Sequence, residues 1–266
     1  MMRRSSRLED NSESAPAEAA PSKSSPKIRG RLIEKTDDRS LPIGNLLTGH
    51  EQDELRRIAK LVEYPRAGMT IFSAGSDADF VYVIDEGMVR ISRHAESGQR
   101  HILAFMGPGD LFGVPDGGIY ANTSETVCAT KLYRFRWKSL RDIMAKEPEL
   151  QLSFLAKLAF DFRQAQRQMV ILGQQTTYQR LALFLLDLLR NSQLFDHSRS
   201  RLKLPVNRFD LADYLGMTRE AAARAFARLE EEKLIRRIGS HEIEILNIRG
   251  LNHLKRGRPR KTLRTR

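Results

Sequence analysis

The sequence predicts an α+β chain with an N-terminal antiparallel β roll, a long coiled-coil helix and a C-terminal winged helix-turn-helix. Three patterns support this fold class. Short runs that alternate apolar and polar residues fill residues 64–137, an apolar heptad seam follows Pro148, and two short helices meet at Gly216. A period of two is typical of strands, whereas apolar steps of three and four are typical of helices.

Composition divides the chain into five segments. The first forty residues are rich in Ser, Ala, Pro and charge, so we expect disorder, because they bury too little apolar surface to offset the entropy of ordering. A first short helix is expected around Asp53–Leu61. The predicted segments are a tail at 1–40, the β roll at 41–146, the long helix at 147–173, the winged helix-turn-helix at 174–253 and a basic tail at 254–266.

The net charge and the single cysteine indicate which binding partners and which cellular compartment to expect. The 266 residues carry a net charge of +12, and residues 255–266 hold seven Lys or Arg and no acid. Such an excess favours a polyanionic partner. The single Cys128 excludes an internal disulfide and a four-cysteine iron–sulfur site within one chain, and it fits a reducing cytoplasm. No apolar run approaches the roughly 20 residues of a membrane span, so we expect a cytoplasmic protein without a membrane partner.

The roll is predicted from five runs of alternating residues, TIFSAG, FVYVIDEG, MVRISRH, RHILAFMG and ATKLYRFRW. Glycines such as Gly87, Gly98, Gly109 and Gly113 separate them. Evenly spaced strands with glycine-rich turns favour a small antiparallel roll. This pattern indicates a fold and does not by itself indicate a function.

The long helix is predicted to begin at Pro148, because proline is well tolerated in the first turn of a helix. Apolar residues then recur at steps of 3, 4, 3, 4 and 3. The seam consists of Leu155, Leu158, Phe162, Ala165, Met169 and Leu172. Such a stripe either packs on its own β domain or pairs with an equivalent helix, and the heptad spacing favours a homodimer. A dimer would place two recognition helices about 34 Å apart, which matches successive turns of DNA.

The helix-turn-helix is predicted over Asn207–Leu229. Gly216 breaks a first short helix, and Thr218 opens a second helix that exposes Arg219, Glu220 and Arg224 near its N-terminus. Such a helix can enter the DNA major groove, where arginine binds guanine O6 and N7 and glutamate accepts from cytosine N4. The alternative is an alanine-rich amphipathic helix with a solvating Glu220–Arg224 pair.

Two further basic features flank this motif. A hairpin around Gly239-Ser240 has the form of a wing, on which Arg236 and Arg237 either touch phosphate or belong to a solvated turn. In the tail, KRGRPRK is similar to an AT-hook, in which Arg256 and Arg258 would enter an A/T-rich minor groove. The alternative is a disordered basic tail that adds phosphate affinity without reading sequence.

The order of these parts resembles the Crp/Fnr superfamily over roughly residues 41–250. The resemblance is carried by GPGDLFG at 107–113, the helix seam, LKLPVNRFDLADYLGMT and the Glu220-xxx-Arg224 spacing. The segment MVILGQQTTYQRLALFLLDLL is similar to the FixK-like branch. The resemblance implies a cyclic-nucleotide-binding-domain-like jelly roll and a bacterial, nucleoid-associated transcription regulator. Its implied partners are double-stranded DNA with palindromic operators, RNA polymerase and a second copy of the chain.

The resemblance also assigns roles to positions of the motif. Arg208 matches a phosphate-contacting position, and Thr218 is placed to cap the helix or to meet phosphate. Arg219 stands where the FixK-like branch has an apolar residue, and Ala223 stands where it has serine. The pattern of Arg219, Glu220 and Arg224 is closer to that of Crp itself, so the expected half-site has two arginine-read guanines and one glutamate-read cytosine.

Cofactor expectations follow from departures from the family. No glutamate follows Gly113, and residues 101–133 contain no arginine and only Lys131 as a lysine. A buried cyclic phosphate without a cationic partner is strongly disfavoured, so we expect no cyclic nucleotide. The N-terminal cysteine cluster of oxygen-sensing Fnr members is missing, so no iron–sulfur cluster or metal is expected. One axial ligand can hold haem, and the candidates His50, His94 and His101 leave that alternative open.

Three alternatives to an effector-independent regulator remain at this stage. A ligand- or haem-gated sensor would share the DNA-reading residues, whereas an architectural protein would depend on the basic tail for its affinity. An enzyme is not expected, because the sequence has no glycine-rich phosphate loop and no metal-spaced His/Cys cluster. The GPGDLFG turn also does not open a helix, as a phosphate-binding loop requires.

Overall fold

A computed structural model describes residues 31–32, 49–189 and 194–255. The first part of the chain forms a β roll that is followed by helices. Its strands are β1 (Arg31–Leu32), β2 (Lys60–Tyr64), β3 (Thr70–Phe72), β4 (Phe80–Glu86), β5 (Val89–His94), β6 (Arg100–Met106), β7 (Leu111–Phe112), β8 (Thr123–Thr126) and β9 (Thr130–Arg136). Its helices are α1 (Gly49–Ile58), α2 (Trp137–Met144) and α3 (Pro148–Gln174).

Two antiparallel sheets make up the roll. One has the strand order β1-β2-β9-β4-β7 and the other has the order β3-β8-β5-β6. The facing sides of the sheets bury a shared apolar core. It includes Val62, Tyr64, Ile84, Val89 and Leu132. The outer face of the first sheet packs on α1, α2 and the start of α3, including Leu55, Leu140 and Leu150. The predicted antiparallel β roll is therefore confirmed.

Two local expectations from the sequence are wrong. Arg31 and Leu32 form a strand inside the segment expected to be disordered, because their backbone pairs with Glu63 and Val62 at the edge of the sheet. The first helix ends at Ile58 and does not reach Leu61, because Leu61 pairs with Tyr133 in the sheet. The rest of segment 1–40 lies outside the described residues.

The long helix α3 begins at Pro148, as predicted. Leu150 at its start is fully buried beneath the first sheet. Further along, the Lys157 ammonium contacts Asp110 Oδ1 at 3.0 Å and Asp161 Oδ1 at 2.7 Å. The contact with Asp110 attaches the N-terminal half of α3 to the turn before β7.

The C-terminal part combines helices with a four-stranded sheet of order β10-β11-β13-β12. Its helices are α4 (Thr177–Leu188), α5 (Arg208–Tyr214), α6 (Arg219–Glu231) and α7 (Ile248–Lys255), and its strands are β10 (Phe195–Asp196), β11 (Arg201–Lys203), β12 (Ile235–Arg237) and β13 (Glu242–Ile245). A capping box between Thr176 and Gln179 begins α4. Leu181, Leu185, Leu211, Phe226 and Ile243 belong to the core of this part. Met88 and Val127 of the roll pack against the same core.

The Arg180 side chain joins α3, α4 and the turn after α5. Its guanidinium donates to the carbonyl of Leu172 at 2.6 Å and to that of Gln175 at 3.0 Å. Its Nη1 also donates to the carbonyls of Leu215 and Gly216 at 2.9 and 3.0 Å. Carbonyls at the ends of helices lack partners within their own helix, so one planar cation satisfies acceptors on two helix ends.

We expect Arg180→Ala to lower the free energy of unfolding by about 3 kcal/mol, because several carbonyls lose a charged donor. Urea unfolding at a fixed protomer concentration would measure this loss. The matched control is Arg199→Ala, which removes an exposed arginine whose Nε lies 3.9 Å from Asp196. Exposed pairs contribute about 0–1 kcal/mol, so similar losses in the two variants would contradict the role of Arg180.

Candidate nucleic-acid interface

The first helix of the motif is shaped by its two ends. At the N-terminus, Asn207 Oδ1 accepts from the backbone N–H of Asp210 at 2.8 Å. At the C-terminus, Gly216 has φ +58°, a left-handed conformation that glycine adopts without steric cost. The chain reverses there, and the N–H of Met217 donates to the carbonyl of Ala212 at 3.0 Å. This turn directs the chain into α6.

The second helix, α6, begins as predicted with Thr218 at its N-cap. The Thr218 hydroxyl accepts from the backbone N–H of Ala221 at 3.2 Å. One side of α6 faces the core through Ala222, Ala225, Phe226 and Leu229. The burial of that side leaves the opposite side of the first two turns to solvent.

The exposed side carries the residues expected to read bases. Arg219, Glu220, Ala223 and Arg224 are all exposed on the first half of α6. Hydrogen bonds from its own backbone N–H and from the Thr218 hydroxyl lower the pKa of the Glu220 carboxyl. Glu220 is therefore an ionised acceptor between two cationic side chains at neutral pH.

An exposed aromatic ring supports one of these side chains. The Arg219 guanidinium lies over the Phe209 ring, with Cζ 4.3 Å from the ring centroid, and Phe209 is 60% exposed. Stacking on a ring leaves the in-plane N–H groups of the guanidinium free to donate. The sequence patterns above do not single out Phe209. A signal was available, because Phe209 lies outside the apolar spacing of Leu211, Ala212 and Leu215.

Arg208 lies at the start of α5 and is half-buried. Its guanidinium packs on the Phe226 ring, with Cζ 3.9 Å from the centroid. Its Nη1 is buried and has no hydrogen-bond partner within the described part of the chain. Burial, followed by the nearby Arg237 charge, lowers the pKa of Arg208. The side chain is fixed in position and retains donor capacity.

The wing arginines are both paired with carboxylates. Arg236 Nε donates to Glu244 Oε2 at 2.7 Å, and Arg237 Nε donates to Glu230 Oε2 at 2.7 Å. Both arginines stay largely exposed. The tail residues Arg256 and Arg258 lie outside the described residues.

The interior of the roll beside Gly113 is filled by aromatic rings. A Cβ added to Gly113 would lie 3.0 Å from Phe72, 3.0 Å from Tyr82 and 3.3 Å from Tyr120. Phe72 and Tyr120 stack with their centroids 3.8 Å apart. These rings occupy the space directly beside Gly113.

The remaining candidates for a ligand-sensing site are the histidines that could bind haem. His94 and His101 are exposed, and His101 Nδ1 lies 3.7 Å from Asp213 Oδ1. The side chain of His50 lies outside the described residues. Over the described ranges, no three His, Cys, Asp or Glu side chains group closely enough to hold a metal ion. The helices of the same ranges include none that is long and apolar enough to cross a membrane.

Most residues of the predicted helix seam are exposed to solvent. Leu155, Phe162 and Met169 are each 63% exposed, and Leu158 is 45% exposed. Ala165 is also exposed, while Leu172 is half-buried. The seam therefore does not pack on the β domain of the same chain.

A β roll, a long helix and a winged helix-turn-helix with an exposed polar recognition face define a DNA-binding transcription regulator. Comparisons with known proteins agree with this class. A family model described as a Crp-like helix-turn-helix domain matches residues 179–254, and one described as a cyclic nucleotide-binding domain matches residues 62–147.

Individual relatives show more closely which transcription regulators the chain is similar to. The nitrogen fixation regulation protein FixK of Azorhizobium caulinodans is 36% identical over 166 residues, which are 62% of this chain and 67% of FixK. The transcriptional activatory protein AadR of Rhodopseudomonas palustris is 30% identical over 74% of this chain and 82% of AadR. The solved structure of FixK2 from Bradyrhizobium japonicum is 29% identical with a TM-score of 0.68, covering 74% of this chain and 97% of FixK2.

The chain belongs to the Crp/Fnr superfamily of bacterial transcription regulators, in its FixK-like branch. The relatives are regulators of transcription, in agreement with the expectation of a regulator and not an enzyme.

Cys128 generates a prediction about reactivity. It is half-buried and packs against the C-terminal core, and burial raises the pKa of its thiol. A raised pKa lowers the thiolate fraction near pH 7, so alkylation of the folded protein should be about tenfold slower than that of the denatured protein. Timed labelling with iodoacetamide checks this. Equal rates in the two states would contradict the burial of the thiol.

Proposed function

We propose that this chain is a homodimeric regulator that reads a twofold-symmetric operator through Arg219, Glu220 and Arg224 and binds without a cyclic nucleotide. The observation that carries the proposal is the joint exposure of these three side chains on the first half of α6. The opposite side of α6 is buried, so this face is the one available to DNA.

The proposed chemistry matches the donors and acceptors of the major groove. Arg219 and Arg224 each donate to guanine O6 and N7, and the ionised Glu220 accepts from cytosine N4. Ala223 has no side chain beyond its Cβ, so the helix can approach the base edges closely. Each half-site would therefore contain two guanines and one cytosine at fixed steps.

Several residues are proposed to bind the DNA backbone. Arg208 is one candidate, because its guanidinium is held on the Phe226 ring and its side chain is only partly buried. Thr218 already caps α6, so its hydroxyl would reach phosphate only as a secondary contact. Arg236 and Arg237 would exchange their carboxylate partners for phosphate. The tail arginines Arg256 and Arg258 are proposed to contact flanking A/T sequence in the minor groove.

Dimerisation is proposed through the exposed seam of α3. Apolar surface exposed to water is unfavourable, and covering it stabilises an assembly by about 25 cal/mol per Å². A second copy of α3 offers the same heptad spacing and would cover the seam by knobs-into-holes packing. The two α6 helices would then face successive turns of one DNA duplex.

The roll is proposed to function without a bound cofactor. It is also proposed to offer a surface that RNA polymerase contacts. Aromatic packing at Phe72, Tyr82 and Tyr120 beside Gly113 argues against a cyclic nucleotide there. Haem has little support, because His94 and His101 are exposed side chains. The name of AadR, a transcriptional activatory protein, supports polymerase contact by analogy.

We expect purified protein to select a twofold-symmetric motif from genomic DNA fragments at physiological salt with no ligand added. Arg219→Ala and Arg224→Ala should each remove the preference for guanine at one step, with a loss of about 1–3 kcal/mol at that position. Glu220→Gln should weaken the preference for cytosine. Featureless binding by the unaltered chain would overturn the proposal.

Two further variants sharpen this test. Arg228→Ala removes the same charge from the last turn of α6, so it controls for loss of net charge. Phe209→Ala removes the ring beneath Arg219 and should weaken guanine preference at the Arg219 step only, and by less than Arg219→Ala does. If Arg228→Ala and Arg224→Ala had equal effects on binding, α6 would bind DNA only as a nonspecific cationic surface, which would contradict base reading by Arg224.

We expect Phe162→Glu to raise the dimer dissociation constant by at least about tenfold, because a carboxylate would enter the apolar seam of both chains. Sedimentation velocity over a concentration series measures the change. Arg163→Glu places the same carboxylate at the adjacent exposed position off the seam and should leave the dimer intact. A dimer unaffected by Phe162→Glu would mean that another surface holds the two copies together.

A further inference from the structure

The roll and the helix-turn-helix meet at a buried group of charges. The Asp210 carboxylate, in the first turn of α5, has only 2% of its side chain exposed. It forms ion pairs with Arg90 of β5 and Arg100 of β6. Glu125 of β8 accepts from Arg90 Nε at 3.1 Å and lies 4.0 Å from Arg100 Nη1. We call these four residues the interdomain ion cluster.

The cluster is balanced in charge, with two arginines and two carboxylates. A buried carboxylate is costly unless paired, and removing one partner of such a pair leaves an uncompensated charge. The arginines come from the hairpin of β5 and β6, so only one placement of α5 against the roll satisfies Asp210. The cluster therefore specifies an orientation, besides whatever stability it adds.

Neighbouring contacts fix the same orientation. The backbone N–H of Ile102 donates to Asp213 Oδ2 at 3.0 Å. One turn beyond Asp210, the Tyr214 ring packs edge-on against Phe105 of β6 and Phe184 of α4, with centroids 5.1 and 5.8 Å apart. Contacts at Asp210, Asp213 and Tyr214 span the length of α5, so α5 can neither slide nor rotate on the roll without breaking several of them.

The recognition face stays open in this arrangement. Arg219 and Arg224 remain exposed while the cluster holds α5. Because α5 connects to α6 through the tight turn at Gly216, fixing α5 also fixes the direction of α6. The contact is compatible with DNA binding and does not cover the reading residues.

We infer that Arg90, Arg100 and Asp210 are positioning residues that set the distance and angle between the two recognition helices of the dimer, so that the protein selects operators by half-site spacing. The inference rests on the proposed function. One base pair added between half-sites moves them apart by about 3.4 Å and rotates one relative to the other by about 35°. A rigid α5 resists that change, whereas a loosened α5 accommodates it.

The test uses the full chain with Arg100→Gln and with Asp210→Asn, on the selected operator and on copies with one or two base pairs inserted at the dyad. Each variant should lose about tenfold in affinity for the selected operator and most of the penalty for the insertions. The double variant should resemble the Asp210→Asn variant, because Asp210→Asn already removes the ion pair between Arg100 and Asp210. Arg93→Gln removes an exposed arginine from β5, the strand that carries Arg90, and should keep the spacing preference.

The outcomes separate the inference from the proposed function. If the unaltered chain has no sequence preference, the proposed function fails. If the unaltered chain is specific and both variants keep its full spacing penalty, or bind more tightly, the positioning role is overturned. Should thermal unfolding reveal that Asp210→Asn does not fold, Arg100→Gln decides, because it leaves the hydrogen bond from the N-cap residue Asn207 to the Asp210 carboxylate in place.

Discussion

The contact between Arg180 and the carbonyls around it is the constraint on which the arrangement of this molecule depends. One guanidinium reaches the end of α3, the start of α4 and the turn after α5. The helix that carries the exposed apolar seam and the helix that precedes the recognition face are thereby joined at one point. Any change in the angle between α3 and α5 must break these hydrogen bonds, so the orientation of α5 is linked to that of α3.

Near Arg180, polar contacts fix the orientation of the roll relative to the C-terminal part, and apolar contacts hold the two parts together. The interdomain ion cluster and the bond from Ile102 to Asp213 determine how α5 meets the roll. Met88 and Val127 of the roll share the core of the C-terminal part, so the two parts are not separated by solvent. Apolar burial is non-directional, whereas paired charges and hydrogen bonds accept only one geometry. This division explains why charged residues lie at the boundary between the parts.

Local sequence patterns predicted the helices, caps and turn of the helix-turn-helix. Contacts between residues that are distant in the chain account for the expectations that were wrong. The caps at Asn207 and Thr218 and the left-handed Gly216 act within a few residues, so their sequence signals sufficed. Leu61 was assigned to a helix, yet it pairs with Tyr133 across the sheet. Arg31 and Leu32 are ordered by pairing with β2, which the composition of the tail does not reveal.

The fold class, the start of α3 at Pro148, the helix-turn-helix and the exposed face of α6 can all be predicted from the sequence alone. Periodicity, capping residues and glycine conformation are properties of short stretches of chain, and they can be recognised without the rest of the molecule. Which charged side chains contact each other depends on the tertiary fold. Asp210 lies 110 residues from Arg100 in the chain, and Phe209 supports Arg219 across a turn. Such pairings depend on how whole elements pack, which no local pattern encodes.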